Sequence, residues 1–431
     1  MAAPTPPHPS QQPRRPTPHE RRAAMETRES LNPFRALLKH RNFRYFWIGQ
    51  TVSLIGTWMH SIAQGWLALE LSNSALIVGL VSAAGSFPVL ALSLPAGVLA
   101  DRYSKLRIVM IGQALLAIEA GALWWFVATD NITIPWLIAL AAMNGVIGAF
   151  EIPARQSLLV DLVVREDLMD AIALNTSSFN LARIIGPSIA AVVIAAAGLA
   201  WCFALNALSY AAVLVGLGLV RLPPWIPPRH RISPIANMKE GLRYLIRTPE
   251  MSVLMRMVAV FSVFGLPYLT LMPVLARDVL GLQAAGYGVL MTMTGVGALA
   301  GALFLAAVGS RIRRGRLFAI SSLAFPALLI VIALTPVAAV SAALLLLAGL
   351  GMILNTALAN AIIQSIVPDA LRGRVMAAYV MVYVGFSPFG SFVGGALARA
   401  AGVEWAIGGG GAVMLLYSAW ALSRHPQVRA L

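Results

Sequence analysis

The sequence predicts an all-α membrane protein with twelve transmembrane helices in two six-helix halves, and three observations carry that prediction. Apolar segments of about 20 residues, each long enough to cross a bilayer, recur along the 431 residues. Charged residues make up 11% of the chain against 59% hydrophobic, with a mean hydropathy of +0.78; a soluble domain carries roughly 25% charged residues. The lysines and arginines, finally, gather on one side of the predicted spans, as the positive-inside rule requires of a cytoplasmic face.

Taken in order, residues 1–40 form a basic tail with Pro4, Pro6, Pro7, Pro9, Pro13, Pro16 and Pro18 beside Arg14, Arg15, Arg21 and Arg22. Such a composition cannot build a core and predicts disorder. No apolar stretch closely follows the first charges, which excludes a secretory signal. The first half, 41–220, holds spans at 43–70, 75–99, 106–128, 134–154, 170–197 and 200–220. The second half, 250–424, holds them at 250–276, 285–309, 316–336, 338–360, 374–400 and 404–423, and 425–431 is a cytoplasmic C-terminus. Ten or eleven spans would need one of these runs to be re-entrant. Between the halves, 221–249 opens with Pro223, Pro224, Pro227 and Pro228. It continues with Ile235, Met238, Leu242, Leu245 and Ile246 at helical spacing around Lys239, Glu240 and Arg243, an amphipathic helix on the inner surface or a solvated linker.

With the N-terminus inside, the outer loops carry only Arg277 and Arg399. That assignment puts both ends in the cytoplasm, which an even number of spans also requires. The formal net charge of +15 then reflects inner loops and not nucleic-acid binding. Cys202 is the one cysteine, so disulfides and multi-cysteine metal sites are excluded, and no metal is expected.

The halves resemble each other. Leu158–Leu174 and Ile362–Met376 read as matching amphipathic re-entries, and Gly198-Leu199-Ala200-Trp201 matches Gly402-Val403-Glu404-Trp405 at an offset of 204. Two parallel six-span halves are an architecture of rocking secondary transporters, with the binding site between the halves near mid-membrane.

Between spans two and three stands Gly97-Val98-Leu99-Ala100-Asp101-Arg102-Tyr103-Ser104-Lys105. A carboxylate at a span end can accept from backbone N–H groups at the positive end of a neighbouring helix, here that of span eleven near Gly373-Arg374-Val375; a plain basic inner turn is the other reading. The loop resembles the signature of the major facilitator superfamily, Gly-x-Leu-Ala-Asp-Arg-x-Gly-Arg-Lys, through Gly97, Leu99, Ala100, Asp101, Arg102 and Lys105, with departures at Ser104 and Leu106. The resemblance implies the major facilitator fold and a gating role for Gly97, Asp101, Arg102 and Lys105. The second-half loop Gly309-Ser310-Arg311 lacks the acid. Pro153-Ala154-Arg155-Gln156-Ser157, Ala173-Leu174-Asn175 and Arg183-Ile184-Ile185-Gly186-Pro187 are similar to the transmembrane secretion effector branch, which includes the enterobactin exporter and macrolide efflux proteins. Gly186 and Pro187 sit where drug–proton antiporters carry a helix-bending Gly-Pro-x-x-Gly-Gly. The arginine those antiporters often place in span four is missing around Ala141–Gly145.

Polar residues inside the spans supply the candidate site. Gln50, Ser53, Thr57, His60, Ser61 and Gln64 recur at steps of three and four on span one, one face that lines a cavity or bonds to other helices. Thr356, Asn360 and Gln364 on span ten, and Tyr379, Tyr383 and Ser387 on span eleven, extend the candidate lining. Glu119 and Arg183 each lie about thirteen residues into an outward-running span. Matched depth predicts a pair, with Glu119 either a proton carrier or a neutral packing residue. His60 is either titratable or structural.

No Gly-x-x-x-x-Gly-Lys-Ser/Thr loop is present for ATP, and no cluster suggests enzymology. The expectation is a secondary active exporter of an amphipathic small molecule, such as a siderophore, macrolide or other metabolite, with membrane lipids as surroundings. It needs no cofactor beyond a proton gradient and no further subunit. A lipid or solute translocator without proton coupling and a non-transporting sensor or scaffold remain alternatives.

Overall fold

A computed structural model of the chain describes residues 34–223, 234–309 and 312–430; the side chains of residues 93, 94, 98, 100, 101, 234–239, 369, 370 and 430 are outside that description. The expected disorder of residues 1–33, the prolines at 224, 227 and 228, and Ser310 and Arg311 lie outside the described residues.

The spans are helices at Arg41–Ser72, Ala75–Arg102, Lys105–Ala128, Ile134–Asp161, Leu168–Ala197 and Leu199–Gly218 in the first half. In the second they are Pro249–Val279, Ala284–Val308, Arg314–Ala333, Ala338–Ile366, Asp369–Ala401 and Val403–Arg424. Eleven helices among the described residues are long and apolar enough to cross a membrane. The twelfth is Arg41–Ser72, 32 residues long, whose polar stripe lowers its hydropathy. The chain is thus a twelve-helix membrane protein in two six-helix halves. One boundary needs correction: Arg35–Lys39 is a short helix and not tail, with Ala36 fully buried.

The repeat is visible in the backbone. Gly198 (φ 91°) and Gly402 (φ 101°) both end a span in a conformation that L side chains resist. Spans two and four pack together, and spans eight and ten pack in the equivalent way. Across the halves, two meets eleven and five meets eight, the pairs a twofold would exchange. The second half is less regular. Span seven contains π-helical turns at Phe261–Gly265 and Leu275–Val279, and span eleven breaks at Phe386 between Asp369–Gly385 and Ser387–Ala401.

The chain ends and the linker lie at one end of the bundle, here the terminal side. Lipid tails are as apolar as leucine, so spans associate through close packing and hydrogen bonds more than through water exclusion. On the side opposite the termini, Gly79 and Gly395 let spans two and eleven touch backbone to backbone; a Cβ on Gly395 would lie 2.8 Å from the Ala75 carbonyl oxygen. Ser82, Thr270 and Ser391 hydrogen-bond across the same seam, and Arg277 reaches Asn73 at 2.8 Å. One buried cluster there joins both halves, from Trp66 and Val78 to Tyr268, Tyr287 and Ala398. On the terminal side, by contrast, the core among the described residues divides. One cluster runs from Ala36 to Val220 within the first half, and another from Leu245 to Val428 within the second. Exposed Trp124, Trp125, Trp136, Trp201 and Trp405 ring the opposite end, where amphipathic indoles suit a lipid headgroup layer.

Candidate functional site between and within the halves

The stripe on span one divides in two. Gly49 and Gly56 bring span six so close that a Cβ on Gly56 would meet Asn206 and Ser209. On the same side Gln50, Ser53 and His60 are buried inside the first half, so these three do not line an open surface, contrary to a single cavity-facing stripe. Thr57 and Ser61 are exposed, their hydroxyls donating to the carbonyls of Ser53 and Thr57, each at 2.9 Å. Gln64 is half-buried, and its Nε2 is buried with no partner among the described residues.

Glu119, on span three, is fully buried. The Asn144 amide of span four donates to its Oε2 at 3.2 Å. His60 Nε2 stands 3.9 Å from Oε1, and His60 Nδ1 lies 3.2 Å from the Asn206 Nδ2. With the Asn206 amide as donor, Nδ1 accepts, and a neutral His60 carries its proton on Nε2, aimed at the carboxylate. Spans one, three, four and six thus enclose one buried acid with two polar neighbours, Asn144 and His60, and Asn206 behind His60. A second buried acid, Glu151, accepts from Gln113 at 2.8 Å and from Arg155 at 2.9 Å. Sequence reasoning missed Glu151, although Glu151 and Arg155, four apart on one helix face, were a readable signal.

Among the described residues Arg183 makes no direct contact with Glu119, which corrects a direct depth-based pairing. Span three packs on four and six, whereas span five packs on one and eight, so equal depth does not mean a shared face. The Arg183 guanidinium lies over the Trp58 ring, 5.7 Å from its centre, and Nη2 is 3.6 Å from Met352 Sδ in the other half. The Tyr268 hydroxyl also reaches that sulfur, at 3.6 Å. Gly186, three residues on and therefore on the same face, leaves room for Trp58, whose side chain a Cβ there would strike, so Arg183 and Gly186 together seat Trp58. Nearby, Tyr379 donates to the Thr356 carbonyl at 3.3 Å and stacks on Tyr383 at 6.1 Å and 2°. Tyr383 in turn stacks on Phe261. Asn360 accepts from Gln364. Half-way along its span, a lone cation costs about 2.5–3.5 kcal/mol on insertion scales, and cation–π contact offsets part of that.

A model of transmembrane secretion effectors matches residues 30–430. The chain belongs to this family of major facilitator transporters. It is 30% identical over 291 residues to the staphyloferrin A transporter of Staphylococcus aureus, covering 65% of this chain and 71% of that one. It is 26% identical over 358 residues to the enterobactin exporter EntS of Citrobacter koseri, covering 79% and 81%. Among solved structures, a POT family transporter in complex with 5-aminolevulinic acid aligns with a TM-score of 0.72 at 12% identity over 90% of this chain and 97% of the other. A bacterial homologue of the lysosomal transporter Spinster aligns at 0.65 and 14%, over 90% and 96%. These likenesses concern the fold.

In this secretion effector the signature loop is tied to span four: Lys105 donates to Asp161 at 2.8 Å and to the Ser157 carbonyl at 3.4 Å. Arg102 is exposed, and a Cβ on Gly97 would meet nothing within 4 Å. The expected docking of Asp101 on span eleven lies outside the described side chains. At that helix start the linker supplies the acid, Glu240, 2.6 Å from Arg374. A further site the sequence did not reveal is Asp167, 1% exposed, in the turn ahead of span five. It binds Lys39 at 2.8 Å, His40 at 2.7 Å and Arg35 at 3.3 Å. Hydrogen bonds from Lys39 and then His40 hold its carboxyl below the ordinary carboxylate range.

Proposed function

We propose that this membrane transporter exports an amphipathic small molecule of the siderophore or macrolide kind across the cell membrane, by alternating access and in exchange for protons. The reading has both termini in the cytoplasm, a small-molecule substrate, no nucleic acid and no cofactor beyond the proton gradient. The observation that carries it is the polar and aromatic surface at the junction of the halves, Trp58 and Arg183 meeting Met352 and Tyr268. A core continuous on one side and divided on the other suits a rocking cycle in its inward-facing state. Two relatives named for siderophores, one of them an exporter, support the direction and the size of the cargo. The Glu119–Asn144–His60 cluster supports a proton-binding step, because a carboxylate walled off from water binds and releases a proton with a change in local packing.

A second reading, translocation without proton coupling, is favoured by one observation: Glu119 is buried inside the first half, whereas Thr57 and Ser61 are exposed. The separating experiment is uptake of extracted siderophore or macrolide into everted membrane vesicles energised by respiration. Uptake that stops when a protonophore is added supports proton-driven export. Uptake indifferent to the protonophore selects the second reading, and no uptake beyond vesicles lacking the protein refutes export.

A further inference from the structure

We infer that Arg183 is the anion-binding group of the substrate site, and that the cargo is an organic anion bearing carboxylate or phenolate groups on an aromatic or apolar frame. This deepens the export reading and rests on it for the word substrate; the binding site itself is separately testable.

Four observations converge. Arg183 projects from span five to the seam between the halves, touching Trp58 of the first and Met352 of the second. A guanidinium carries five N–H donors, and among the described residues its contacts are a sulfur and an indole face, neither of which is an anion or a strong acceptor. The chain has little means to neutralise it: no Asp or Glu occurs between Asp278 and Asp369, the stretch that forms spans eight, nine and ten. The three buried acids of the first half are committed elsewhere, Glu119 to Asn144, Glu151 to Gln113 and Arg155, and Asp167 to Lys39, His40 and Arg35. Lastly, the surroundings are aromatic. Tyr379, Tyr383 and Phe261 stack in one run that Phe325 continues to Tyr268, the last contact edge to face, and Tyr268 touches the same sulfur as Arg183.

The chemistry follows from that arrangement. A planar fork of donors without a protein counter-ion matches a carboxylate or a pair of phenolate oxygens, and the indole beneath holds the fork in orientation before the ligand arrives. The aromatic wall takes the apolar body. A cationic ligand, a basic macrolide included, meets like charge at the half-buried guanidinium and is disfavoured, so the inference narrows the cargo to the siderophore kind. Binding also spans the seam, so an anion held by Arg183 against the wall of spans seven, ten and eleven links the two moving bodies directly.

The test uses two dyes of one xanthene frame and opposite charge, carboxyfluorescein and rhodamine 123, with the full-length protein in nanodiscs of neutral lipid. Binding is read by fluorescence anisotropy, which is independent of transport direction. The wild type should bind the anion more tightly than the cation. Arg183→Gln should weaken anion binding about tenfold or more and leave or improve the cation. Arg183→Lys should keep most of the anion preference, which a purely structural role for the guanidinium would not predict. Elution volume and melting temperature identify variants that fail to fold, and Trp58→Phe then serves as the second probe of the site: it keeps the charge, so the anion preference should persist with weaker affinity for both dyes. The inference is overturned by wild-type protein that binds the anion no better than the cation, by Arg183→Gln binding carboxyfluorescein as the wild type does, or by Trp58→Phe leaving both affinities unchanged. Anion binding that depends on Arg183 in nanodiscs, with no transport of either dye in everted vesicles, upholds the site and counts against export.

Discussion

Replacing Gly395 by alanine tests whether the seam opposite the termini is a closed gate. The added Cβ would lie 2.8 Å from the Ala75 carbonyl oxygen, 3.1 Å from Gly79 Cα and 3.3 Å from Leu76 Cα. All three neighbours are backbone, so no rotamer change relieves the overlap. Restoring an ordinary contact of 3.4 Å at the tightest point needs a separation of about 0.6 Å, the difference between 3.4 and 2.8. Overpacking of this order costs about 1–3 kcal/mol. It is paid only in the conformation that brings spans two and eleven together, so the population should move about 5- to 150-fold toward the conformation that separates them. The assay is labelling of a cysteine at Ser82, in the same seam, by an impermeant maleimide added to intact cells; native Cys202 is buried. Ser82→Cys should label slowly and Ser82→Cys/Gly395→Ala several-fold faster, with transport slowed. Equal labelling in a double variant that melts like its parent would refute the closed-gate argument.

Other outcomes follow from the same geometry. Glu119→Gln keeps an acceptor for Asn144 yet removes the ionisable group, so the protein should fold and bind cargo while substrate-driven proton movement in proteoliposomes disappears; undiminished proton flux would exclude Glu119 as the carrier. Asp167→Asn should cost about 1 kcal/mol, because Lys39 and Arg35 remain partly in solvent. The Asp167 carboxyl is held below its ordinary value, so its contribution is present above the unfolded carboxylate pKa and fades as pH falls through the folded one; a melting-temperature gap between wild type and variant that widens on acidification would contradict this. Cysteines at Ser10 and Gln427 should resist impermeant reagents in intact cells, and ready labelling would overturn the cytoplasmic assignment of the ends. Asp101→Asn should slow transport with near-normal expression, whereas Ser310→Ala should do little; equal defects would make the signature loop only a charged turn.

The spans were legible because lipid imposes a length and an apolarity that each segment must meet alone, and Gly198 and Gly402 marked the repeat because only glycine is at ease at their φ. Neighbours were less legible. Glu119 and Arg183 were placed at one depth by counting residues, but which face each helix turns to which neighbour depends on packing among spans that lie far apart in sequence. The span-one stripe had the same limit: Thr57 and His60 share a stripe on a helical wheel, yet the close approach of span six at Gly56 buries His60 and leaves Thr57 open. The Glu240–Arg374 contact was not legible either, because it forms only when the linker helix folds back onto span eleven.

The breaks in spans seven and eleven give the two halves unequal stiffness. Span one and span five, their counterparts, run unbroken for 32 and 30 residues, whereas span seven carries two π-helical turns and span eleven is jointed at Phe386. Such irregular turns concentrate bending where the regular hydrogen-bond ladder is interrupted; Phe261 lies in the first π-helical turn, and Tyr383 is just ahead of the joint at Phe386. The first half is then the anvil of the stroke and the second its flexing jaw: the wall facing Arg183 can change shape while span five stays one helix through Gly186-Pro187.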